Sequence, residues 1–101
     1  MATVERCRDM LQNYYKDQLK SVVLYGSAAR QEMRTESDID LLVVLKQPLD
    51  RPRELRAIVD LLYPLQLESS HWISAKPAAA DEFEARTIQL YRNVAREGVI
   101  L

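Results

Sequence analysis

At 101 residues, 48% of them apolar and 29% charged, the sequence has room for one modest hydrophobic core and reads as a single domain over residues 1–101. A formal charge of −1 and a pI near 5.8 exclude any general attraction to nucleic acid or to anionic lipid, so direct nucleic-acid binding is not expected. The lone cysteine, Cys7, excludes an internal disulfide and a cysteine metal cluster; with no apolar stretch of spanning length and no signal core, the expectation is a cytoplasmic protein without a membrane partner.

From Thr3 to Leu19, apolar side chains at Val4, Cys7, Leu11, Tyr14 and Tyr15 recur at helical spacing. Ser21 to Tyr25 is short and β-branched and stops at Gly26, which predicts a strand ending in a turn. Small and polar residues from Ser27 to about Met33 predict a short helix opening directly from that turn. Asp38 to Lys46 is a strand whose centre is apolar at successive positions, as expected where helices cover both faces of a sheet. Leu55, Ile58, Val59 and Leu62 form the apolar face of a helix from Arg53 to Tyr63, which Pro64 is expected to break. Leu65 to Ser74 then reads as a third strand. Pro77 and Asp81 lead into a last helix carrying Phe83, Leu90, Tyr91 and Val94; Gly98 stops it, and Val99 to Leu101 follow as an apolar tail. This order predicts an α/β (α+β) domain, a small mixed sheet of three or more strands flanked by helices.

The chemistry-bearing stretch is Leu24 to Val44, "LYGSAARQEMRTESDIDLLVV". Strand alternation sends Asp38 and Asp40 to one face and Ile39 to the other. Two adjacent carboxylates repel one another unless a cation lies between them, and oxygen ligands of this kind suit Mg²⁺. Glycine at position 26 lets backbone approach a ligand closely, and N–H groups at a helix start cradle phosphate oxygens. A phosphate cradle beside a pair of metal-binding acids describes a nucleotide–metal site. Ser27 serves equally well as a helix N-cap, Arg30 as a solvated side chain, and Cys7 on its apolar stripe as core packing.

Gly26-Ser27, ten residues, then Asp38-Ile39-Asp40 resembles the signature of the DNA polymerase beta-like nucleotidyltransferase superfamily, and the trailing "LYRNVAREGVIL" resembles its minimal nucleotidyltransferase branch, the MntA-type antitoxins of HEPN–MNT pairs. The resemblance implies the polymerase beta-like fold, with Gly26, Ser27 and Arg30 on the phosphates of ATP and Asp38 and Asp40 on the catalytic Mg²⁺, two ions in the full arrangement. It also implies a third carboxylate on a later strand, and Glu68 is the acid available in the third predicted strand. Glu68 reads equally as an exposed strand residue, and Gln31 stands where the family often has Gly. The activity implied is transfer of an adenylyl group from ATP to a hydroxyl of a protein partner, a tyrosine of a HEPN toxin, because nothing in this short chain is left over to hold a small-molecule acceptor. The alternative is a non-catalytic antitoxin module that neutralises a partner by contact. Homo-oligomerisation is left open.

Overall fold

The computed structural model describes residues 2–26, 29 and 38–101. Helix α1 (Ala2–Tyr15) passes through a short 3₁₀ turn (Lys16–Gln18) into strand β1 (Leu19–Tyr25). Strand β2 (Ile39–Leu45), helix α2 (Arg51–Glu68), strand β3 (Ile73–Ala79), helices α3 (Ala80–Ala85) and α4 (Gln89–Glu97) and the two-residue strand β4 (Val99–Ile100) follow. The sheet order is β3-β2-β1-β4. β1 is antiparallel to both β2 and β4, while β2 and β3 are parallel, so the sheet is mixed.

Strand alternation divides the core in two. One face, with Val22, Ile39, Leu41, Val43, Leu45 and Ala75, is covered by α1 through Val4, Cys7 and Leu11 and by α2 through Ile58, Leu62 and Leu65. Burial in this cluster pushes the Cys7 thiol up to about 11, as expected for an inert core cysteine. The opposite face, with Val23, Leu42, Val44 and Ala78, is covered by Tyr91 and Val94 of α4, with Phe83 of α3 at the margin.

The predicted helix from Arg53 to Tyr63 is in fact longer. Asp50 caps it, its side chain accepting from the Arg53 N–H at 3.3 Å, and the helix runs through Pro64 to Glu68. Ile58, Leu62 and Leu65 repeat at helical spacing and are all buried, while Pro64 lies on the exposed side. Packing of that stripe outweighs the local cost of a proline.

The third strand accordingly starts later than the predicted Leu65. The Gln66 side chain shapes the connection, donating to the His71 carbonyl (3.1 Å) and accepting the Ile73 N–H (2.6 Å), and Ile39 N–H donates to the Trp72 carbonyl (2.8 Å). β3 then continues through Pro77 to Ala79, which an edge strand tolerates because one side of its backbone has no ladder to supply.

The predicted last helix is two, separated at Arg86, whose left-handed φ of 55° turns the chain. The tail is a strand: β4 pairs with β1, and the Leu101 N–H donates to the Val22 carbonyl at 2.9 Å. No helix among the described residues is long and apolar enough to cross a membrane.

Candidate active site

Along β2, the residues facing α3 and α4 change from apolar to acidic. Val44 and Leu42 are buried, Asp40 is half-buried, and Asp38, just before the strand, is exposed. The two acids therefore occupy the end of this face where the covering helices give out, as expected from the alternation of "DIDLLVV". Across the sheet, Tyr25 of β1 and Ser74 of β3 stand opposite Asp40, and Lys76 stands opposite Leu42. The predicted strand beginning at Leu65 left Ser74 at its last position and Lys76 outside it. Period two counted from Ile73 would have put both on the face of Asp40.

Gly26 explains why the turn after β1 requires glycine on two counts. Its φ of +74° is left-handed, and a Cβ built there would lie 2.5 Å from Asp40 Oδ2. The backbone of the turn is thus in direct packing contact with the carboxylate, which joins the two halves of the motif in space.

Burial raises the Asp40 pKa above the usual carboxylate value; the negative charge of Asp38 adds to the rise and the positive charge of Lys76 opposes it. Burial, then the charge of Asp40, likewise raises the Tyr25 phenol. A carboxylate held half-desolvated beside another gains from a divalent cation. Mg²⁺ commonly takes only one or two protein carboxylates and completes its shell with waters and substrate phosphates. The Asp38–Asp40 pair fits that demand.

Glu68 does not join the pair. It closes α2, not a strand, and its carboxylate accepts from Arg6 at 2.8 Å in a surface ion pair. Among the described residues no three His, Cys, Asp or Glu side chains come together in a way that could hold a metal. The expectation of a third carboxylate at Glu68 followed from the misplaced strand and is withdrawn with it. Ser27 and Arg30, expected on the phosphates, and the short helix from Ser27 to Met33 lie outside the described residues.

Elsewhere on α2, Leu55, Val59, Tyr63 and Leu67 form an exposed apolar stripe at four-residue spacing. Val59, Tyr63 and Leu67, with Trp72, Ile73 and Ala75, line a groove of about 360 Å³ beside the β3 edge.

Residues 5–101 match the family described as "Polymerase beta, Nucleotidyltransferase". The chain belongs to this polymerase beta-like nucleotidyltransferase family and is a nucleotidyltransferase. It is 32% identical over 92 residues to MJ0604 of Methanocaldococcus jannaschii, named a protein adenylyltransferase, a match covering 90% of this chain and 86% of that protein. Its fold is similar to that of a crystal structure of the toxin–antitoxin MntA–HepT in mutant form, with a TM-score of 0.63 and 20% identity over 96% of this chain and 70% of that one.

Proposed function

We propose that the chain transfers an adenylyl group from ATP, with Mg²⁺, to a hydroxyl of a protein partner, a tyrosine of a HEPN-domain toxin, and acts as its antitoxin. The observation that carries the reading is the packing of the Gly26 turn on the Asp40 carboxylate, with Asp38 two residues away on the same face. The protein-adenylyltransferase name of the 32% identical relative supports the adenylyl group and the protein acceptor, and the similarity in fold to a toxin–antitoxin protein supports a toxin partner.

In this reading Asp38 and Asp40 hold the metal, and the backbone of the Gly26 turn, packed on the Asp40 carboxylate, receives the phosphates. Divalent cations bound there would supply charge stabilisation, drawing negative charge from the triphosphate as pyrophosphate departs. The acceptor oxygen bonds to the α-phosphorus as the bond to pyrophosphate breaks, and the hydroxyl proton passes to solvent water. The protein contributes position and electrostatics: a half-buried carboxylate and the glycine packed against it.

The apolar stripe on α2 favours a second reading, neutralisation of a partner protein by contact alone. One experiment separates them. The chain is mixed with a HEPN-domain partner encoded beside it, ATP and Mg²⁺, and the intact mass of the partner is measured. The proposal expects the mass of an adenylyl group to be added by the wild type and not by the Asp38→Asn/Asp40→Asn double variant. Neutralisation with no mass change, equal in wild type and double variant, selects the contact reading.

A further inference from the structure

The face that carries Asp40 also carries a cation to which the transfer reading gives no task. Lys76 lies two residues beyond Ser74 on β3, and the parallel register puts Ser74 opposite Asp40 and Lys76 opposite Leu42. Both therefore project to the side of Asp40. With strands about 4.8 Å apart and two residues rising about 6.6 Å, the diagonal is about 8 Å, within reach of a long side chain, and the charge of Lys76 acts on the Asp40 carboxylate.

Beyond Lys76 the same face is apolar, with Leu42, Val44 and Ala78 buried under the helices. An exposed lysine at this boundary has the length to lay its stem over the apolar side and extend its ammonium to the polar one, where Asp40 lies. Among the described residues its ammonium makes no ion pair closer than 4.0 Å. Once a divalent cation sits on the acids, the ammonium is no longer needed to neutralise them. The two positive charges repel, and a nucleoside triphosphate brings more negative charge than one divalent ion offsets.

We propose that Lys76 is a phosphate-binding residue of this site, its ammonium contacting an oxygen of the nucleoside triphosphate beside the Asp38–Asp40 pair. The inference rests on the nucleotidyl-transfer reading and adds a residue on the third strand, where the resemblance implies a carboxylate.

The test is equilibrium binding of a non-hydrolysable α,β-methylene ATP analogue with Mg²⁺, and separately of Mn²⁺ alone, to wild type, Lys76→Met, Lys76→Arg and Asp40→Asn. Lys76→Met is expected to weaken analogue binding about tenfold, the loss of one charge-assisted contact, while Lys76→Arg stays within about threefold of wild type. Mn²⁺ binding in Lys76→Met should be unchanged or tighter, because a cation has been removed from beside the metal. Analogue binding by Lys76→Met within about twofold of wild type overturns the assignment. So does a parallel loss of Mn²⁺ affinity, which would make Lys76 an organiser of the acids instead. In both cases a wild type that binds the analogue and an Asp40→Asn that does not leave the transfer reading standing. A wild type that fails to bind it removes that reading and the inference together.

Discussion

The two faces of this four-stranded sheet are built from the same strands and finished differently. On one, helices of 14 and 18 residues cover Ile39, Leu41, Val43 and Leu45. On the other, the helices have 6 and 9 residues. At about 1.5 Å per helical residue these short helices measure roughly 9 and 13 Å, against a seven-residue strand of roughly 23 Å. Neither helix alone spans its whole length. At the strand end that these two helices do not cover, the register sets Asp40 beside Tyr25 and Ser74, with Lys76 two residues further along β3 on the same face. Among the described residues, polar chemistry thus sits on a core strand without interrupting the core, at the end that α3 and α4 do not reach.

Substitutions on the two faces should separate stability from binding. Leu41→Ala, fully buried on the closed face, should cost about 2–5 kcal/mol in chemical denaturation, with nucleotide affinity of the folded fraction unchanged. A loss of affinity in that fraction would mean the two faces are coupled. Gly26→Ala strains a left-handed φ and drives a methyl into the Asp40 carboxylate, so we expect about 1–3 kcal/mol of destabilisation together with loss of nucleotide binding by calorimetry.

Asp40→Asn should abolish Mg²⁺-dependent nucleotide binding and leave the apo protein as stable as wild type at neutral pH, or more so. Because the folded-state pKa of Asp40 is raised, wild type carries a penalty that is fully present above that pKa and absent below the ordinary carboxylate value of 3.8. The stability advantage of the variant should therefore open as pH rises through that window and stay level above it, as denaturation at a series of pH values would show. The smallest effect belongs to Glu68→Gln. It breaks an exposed pair with Arg6 and should cost no more than about 1 kcal/mol, with adenylyl transfer unchanged; a crippled transfer rate would restore Glu68 to the site.

The sequence was legible where one physical signal acted alone. "DIDLLVV" carries its alternation openly, and Gly26 announces a turn, so the acid pair and its strand were readable from residues. Proline misled twice, for one reason. Its cost depends on what faces its missing N–H, which is a tertiary fact. Pro64 lies on the exposed side of α2, a helix it was expected to break, and Pro77 lies inside an edge strand that was expected to stop at Ser74, three residues short of it. That shift carried Glu68 onto a strand it does not occupy and left Lys76 outside one that it does. The left-handed Arg86 that divides the last helix has no sequence signal, since arginine seldom adopts that conformation.

Pro64 has one more consequence, for the motions of α2. Proline offers no N–H to the carbonyl four residues earlier, so the Asp60 carbonyl lacks its i+4 helical donor, and both residues are exposed. The helix is tied continuously up to that point, and its final stretch, which presents Tyr63 and Leu67 to solvent, is anchored mainly through the buried Leu65 and the grip of Gln66 on the loop beyond. Amide hydrogen exchange should therefore step down in protection after Leu62, with the end of α2 opening in local excursions that leave the sheet and its acids undisturbed.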